Sequence, residues 1–125
     1  MKLNTPWGNP DQIRAMGRGV LRVSTASHGG IFVPDDLLHA MPAELRCNCY
    51  GEGNWFEEDC EWALVCLAYP ELFSAASWPG AAQTIQTYNY GGTYHAAAQW
   101  LASSAGDSFR ARICPPDDVQ LSLHV

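Results

Sequence analysis

The segment Val20 to Val33 most constrains the fold. Val20 to Thr25 alternates, with Val20, Arg22 and Ser24 on one side and Leu21, Val23 and Thr25 on the other, the two-residue period of a half-buried strand. Gly30 to Val33 resumes the pattern after Ser27-His28-Gly29-Gly30. Two such runs with so short a link form an antiparallel hairpin. The glycines suit the link, where either Gly29 or Gly30 is expected to take a positive φ. Leu21 and Val23 are expected to face a covering helix, and Pro34 ends the second strand.

The rest of the chain supplies helices. Asp35 or Asp36 is expected to cap a short one through Leu37, Leu38 and Met41. The clearest pattern runs from Trp55 to Tyr69. Asn54 stands as N-cap with Glu57 three residues on, a capping-box spacing. Trp62, Val65, Cys66 and Tyr69 follow at i, i+3, i+4 and i+7, and Pro70 stops the helix. Ala81 to Tyr88 reads as a helix despite strand-compatible Thr84, Ile85 and Thr87, and Tyr94 to Ser103 as another. Phe109 to Ile113 and Val119 to His124 alternate as strands. The expectation is a single α+β domain over residues 1–125, with the N-terminal hairpin and C-terminal strands in one small antiparallel sheet packed on three to four helices.

Charge narrows the function. The formal net charge is −6, and five of the seven basic residues lie between Lys2 and Arg46. No lysine or arginine occurs from Cys47 to Phe109, a stretch that carries Glu52, Glu57, Glu58, Asp59, Glu61, Glu71 and Asp107. A surface of this kind repels phosphate backbones and anionic lipid, so neither direct nucleic-acid binding nor a membrane partner is expected. It attracts a basic protein, or serves only solubility. No apolar run approaches the roughly 20 residues that span a bilayer. The first ten residues lack the apolar core of a secretory signal, and a cytoplasmic location is expected.

Three groups of residues offer chemistry. Ser27, His28, Gly29 and Gly30 are a structural turn or an alternative active site, with His28 as base and glycine amides around an anion. Ser27 and His28 are neighbours on an extended strand and point apart, so they make no Ser–His pair. His28 can instead meet Glu57, Glu58 or Asp59. On a helix those three acids fan over roughly 200° and do not converge, which favours a dipole-stabilising role. No phosphate loop, G-x-S-x-G elbow or H-E-x-x-H motif is present. Cys47, Cys49, Cys60, Cys66 and Cys114 are odd in number, so a disulfide framework is not expected. Cys47-Asn48-Cys49 is shorter than a zinc pair prefers, and no metal or cofactor is expected. Tyr88, Tyr90 and Tyr94, with Trp78 and Trp100, are either core or a protein-contact surface. Glu52, Glu57, Glu58, Asp59, Glu61, Tyr88 and Tyr90 are the candidate partner-binding set.

The ordered set Thr5-Pro6-Trp7-Gly8, Val23-Ser24-Thr25, Ser27-His28-Gly29-Gly30 and Phe56-Glu57-Glu58-Asp59 with Trp62 resembles a domain of unknown function from bacterial plasmid and phage proteins. The resemblance spans Thr5 to Phe73. Members of that family tend to carry tyrosine where this chain has Phe56. The resemblance implies a mobile-element setting. It points to a small protein that binds and inhibits a host defence complex, as anti-CRISPR proteins do, through an acidic, aromatic-rich surface facing a basic one. The alternative is an enzyme using His28 with Glu57, Glu58 or Asp59 for acid–base or metal-assisted hydrolysis.

Overall fold

The computed structural model of the chain describes residues 4–74 and 76–103. It is an α+β fold. Four strands, β1 (Gln12–Gly17), β2 (Val20–Ser24), β3 (Gly29–Phe32) and β4 (Trp55–Glu57), form an antiparallel sheet in sequence order. Four helices follow or interrupt it: α1 (Asp35–Ala40), α2 (Trp62–Ala68), α3 (Ser77–Thr87) and α4 (His95–Ala102). The expected strands at 109–113 and 119–124 lie outside the described residues.

The β2–β3 hairpin forms as its alternation predicts, with Leu21 opposite Phe32 and Val23 opposite Gly30. Its buried faces are the reverse of the expectation. Val20, Ile31 and Phe56 join the hydrophobic core with Ala63 to Leu67 of α2, Ala81 and Ile85 of α3 and Ala97 of α4. Leu21 and Val23 belong to the other face. Val23 is buried there, in the cross-strand row with Gly30 and Glu57. Neither Gly29 nor Gly30 has a positive φ. Both are strand residues, needed because no side chain fits. A Cβ on Gly30 would collide with the Phe56 carbonyl and the Trp7 ring, and one on Gly29 would lie 2.6 Å from the Val23 carbonyl.

Strand β1 is almost all exposed and has no fully buried residue. It reaches β2 through Gly17-Arg18-Gly19, all three at positive φ. Arg18 then lies over the Tyr69 ring, 5.4 Å from its centroid, and ties this corner to the helices.

The helix expected from Trp55 begins only at Trp62. Trp55 and Phe56 are β-forming aromatics, and they pair with Phe32 and Ile31 at the sheet edge. Asn54 does not cap a helix. Its side-chain amide donates to the Val33 carbonyl at 2.8 Å and to Asp35 Oδ1 at 2.7 Å. The N-cap of α1 is Pro34, with Asp35 and Asp36 inside the first turn. No described helix is long and apolar enough to cross a membrane.

Candidate functional site

The site is built around the cross-strand row of Gly30 and Glu57. Trp7 is delivered by a turn in which the Thr5 hydroxyl donates to the Gly8 carbonyl at 2.6 Å and accepts the Trp7 N–H at 3.1 Å. The indole crosses Gly30 and meets Trp55 edge-on, with centroids 5.6 Å apart. The β2–β3 loop is closed by Thr25, which accepts the His28 N–H at 3.0 Å while its own backbone N–H donates to the His28 carbonyl at 2.7 Å. The Ser27 hydroxyl donates to the Trp7 carbonyl at 3.4 Å. Ser27 is thus architectural, and the loop presents the His28 ring outward.

Because β4 is a strand and not a helical turn, the acids do not fan apart. Glu57 ends β4 opposite Gly30 and is 7% exposed. One carboxylate oxygen, Oε1, accepts the Cys60 N–H at 2.8 Å. The other, Oε2, lies 3.9 Å from His28 Nδ1. Glu58 is anchored by its backbone N–H on the Gly29 carbonyl at 3.0 Å, and its Oε1 comes within 3.7 Å of the same imidazole nitrogen. Asp59 completes the group: one donor atom each from His28, Glu57 and Asp59 lies within 4.8 Å of the other two. This nitrogen-and-carboxylate set is one that can hold a divalent cation such as Mn²⁺ or Zn²⁺.

Glu61 stands behind this group with a different task. It is fully buried, and its carboxylate accepts the backbone N–H groups of Tyr50 at 2.9 Å, Gly51 at 2.8 Å and Glu57 at 3.1 Å. Burial pushes its carboxyl above the usual range, the three N–H donors pull it back, and the Glu57 charge adds to the rise. Asn48 finishes the loop by donating to the carbonyls of Gly53 at 2.8 Å and Trp55 at 2.7 Å. Glu52 occupies that loop at positive φ.

A cleft of about 440 Å³ opens in front of His28 and Glu57. Its walls are Trp7, His28, Tyr50, Glu57, Asp59, Cys60, Tyr88, Thr93 and Tyr94. The Cys60 thiol is raised by burial and by the neighbouring charges of Glu57, Asp59 and Glu61. It is therefore held as the neutral thiol and is a poor nucleophile. Tyr94 is 2% exposed, and its hydroxyl makes no hydrogen bond within the described residues. Burial and the surrounding acids push that phenol upward, so it stays protonated.

Of the residues singled out in the sequence, the structure brings His28, Glu57, Glu58, Asp59 and Tyr88 to one place. It separates Glu52, which lies beside a shallower depression with Cys47 and Cys49. It takes the Glu61 carboxylate out of reach, since its oxygens are occupied by backbone. The backbone of Tyr90 is in the 3₁₀ turn Tyr90–Gly92, and its side chain lies outside the described residues. Sequence reasoning gave no site role to Trp7, Tyr50 or Cys60, and left Tyr94 between core and a protein-contact surface. Only Trp7 carried a signal, as the bulky member of a glycine- and proline-bounded turn.

Together these features define a small α+β protein in which Trp7 and Glu57 of the sheet side and the 88–94 segment between α3 and α4 wall an acidic, aromatic cleft. The profile of a domain of unknown function, DUF7007, matches residues 1–112, and the chain belongs to that family. No curated protein and no solved structure matches the chain.

Proposed function

We propose that the cleft is a hydrolytic site run by acid–base chemistry, with His28 as the proton carrier. The observation behind this reading is the pairing of His28 Nδ1 with Glu57 Oε2 and Glu58 Oε1 at 3.9 and 3.7 Å, at the rim of a cleft walled in part by Tyr94, whose buried hydroxyl has no hydrogen-bond partner among the described residues. Glu57 is fixed by the Cys60 amide, so its second oxygen can orient the imidazole while the other ring nitrogen takes a proton from water. Distances of this length shorten when a substrate closes the site. A divalent ion on His28, Glu57 and Asp59 would supply a bound hydroxide at neutral pH. The test is turnover of a panel of activated carboxylic and phosphoric esters, with and without Mn²⁺. His28→Gln is expected to lower any rate by roughly 10²–10⁴-fold. An unchanged rate in that variant sinks the reading.

A second reading keeps the acidic surface as a docking site for a host defence complex. Asp59 is exposed on the cleft wall that also holds Tyr50 and Tyr88, which are 68% and 44% exposed, its neighbour Glu58 is exposed as well, and residues 47–103 contain no lysine or arginine. Rim charges of this kind steer a basic partner. Pull-down from host lysate at low salt and again at about 0.5 M salt tests it, since screening at high ionic strength releases such partners. If nothing is retained at low salt, the docking role is wrong.

A further inference from the structure

We propose that the cleft binds an organic cation, a guanidinium group carried either by a free small molecule or by an arginine side chain. The proposal rests on reading the cleft as a substrate site and names the substrate class.

Size separates this ligand from a lone metal ion. The cleft encloses about 440 Å³, inside the ~300–1,000 Å³ range of small-molecule pockets and well above the ~30 Å³ share of one water. An ion on His28, Glu57 and Asp59 leaves most of that volume unfilled. The walls carry the rest of the argument. Four rings, from Trp7, Tyr50, Tyr88 and Tyr94, face the same space as two carboxylates, Glu57 and Asp59. Among the described residues, no lysine or arginine lines it. Aromatic faces attract cations, and the attraction strengthens where water is excluded.

Two weakly paired groups border the cleft. Glu57 is 7% exposed, and among the described residues the one basic group within 4 Å of its Oε2 is His28, at 3.9 Å. A buried carboxylate with one oxygen so weakly paired is costly unless a cation answers it. The Tyr94 hydroxyl is buried with no acceptor or donor among the described residues. A planar guanidinium has five N–H donors in a fixed fork. It can serve a carboxylate with two and a phenol oxygen with another while its face stacks on an indole or phenol ring. A compact ammonium cannot stack in this way.

The test is calorimetric and tryptophan-fluorescence titration of the wild-type chain at low salt. The probes are agmatine, Nα-acetylarginine amide, citrulline and MnCl₂. Agmatine or the acetylarginine amide is expected to bind saturably, and preference between them tells a free ligand from a peptide side chain. Citrulline, the neutral isostere of arginine, is expected to bind about tenfold more weakly or worse. Asp59→Asn, on an exposed position, is expected to weaken agmatine by about tenfold, and Tyr94→Phe to weaken it less. Equal binding of citrulline, or binding of Mn²⁺ with neither guanidinium probe, overturns the proposal. Guanidinium binding without turnover of any ester removes the hydrolytic reading and leaves this one intact. Turnover without guanidinium binding does the reverse.

Discussion

The carboxylate of Glu61 accepts the backbone N–H of Glu57 at 3.1 Å, so one buried acid fixes the strand end that carries the other. The same carboxylate holds Tyr50 and Gly51, which places the Tyr50 wall of the cleft relative to Glu57. Glu61→Ala leaves these donors without their acceptor at a cost of ~1–3 kcal/mol for each one that stays buried. Denaturant melts measure it. A loss below about 0.5 kcal/mol means water replaces the carboxylate and the loop does not depend on it.

Glu61 also makes stability depend on pH. Its folded value lies above the ordinary 4.5, chiefly through burial, so the native state binds more protons than the unfolded chain in the window just above 4.5. Its contribution therefore falls as pH rises through that window and levels off above the folded value. The advantage of the wild type over Glu61→Gln should be largest at the acid end and shrink toward neutrality. An advantage that grows with pH means the three N–H bonds outweigh desolvation and hold the carboxylate ionised.

Trp7 and Gly30 should be energetically coupled. A methyl on Gly30 meets the indole and the Phe56 carbonyl, so Gly30→Ala should destabilise by roughly 1–3 kcal/mol through overpacking. Trp7→Ala removes one of the two obstacles, and the double variant should cost less than the sum of the singles by about 0.5 kcal/mol or more. Additive losses in a double-mutant cycle mean the indole does not sit over this glycine in solution.

The hairpin was legible because Val20 to Val33 alternates and is bounded by turn residues. Helices α3 and α4 were legible from their apolar spacing, and His28 lies within 4 Å of Glu57 and Glu58, two of the acids named with it in the sequence. The geometry that unites them was hidden. Asn54 and Glu57 have a capping-box spacing by coincidence: the Asn54 amide serves Val33 and Asp35, and the Glu57 carboxylate serves Cys60. A three-residue strand such as β4 is too short to show a period and exists because β3 offers it an edge. The face of β2 that meets α2 was misread because Val23 is buried too, under the row that Glu57 and Gly30 continue. Tyr94 fits a helix stripe from the sequence, and nothing local says that its hydroxyl has no hydrogen-bond partner among the described residues.

Cys60 should react slowly with iodoacetamide compared with a free peptide thiol, because burial and then the charges of Glu57, Asp59 and Glu61 hold it protonated. Asp59→Asn removes one of those charges from an exposed position and should speed alkylation at fixed pH. Peptide mass mapping of the labelled chain follows Cys60 apart from the other thiols. Fast alkylation in the wild type would mean an activated thiolate, and Cys60, not His28, would become the nucleophile to test.

His28 separates architecture from chemistry. Its backbone closes the β2–β3 loop through Thr25, and those bonds survive any substitution that keeps the main chain. Its ring is 45% exposed and meets Glu57 and Glu58 only at 3.9 and 3.7 Å, so the imidazole is expected to contribute little to stability. His28→Ala should melt within ~0.5 kcal/mol of the wild type, below the roughly 0.5–1.5 kcal/mol of a net structural hydrogen bond. The same variant should lose the ester turnover proposed for the cleft while Thr25→Val, which removes the loop-closing hydroxyl and spares the ring, lowers stability first. Thermal melts and turnover assays on the two variants decide the matter. A large loss of stability in His28→Ala with turnover retained would make the imidazole a structural part of the loop and leave the cleft without its proton carrier.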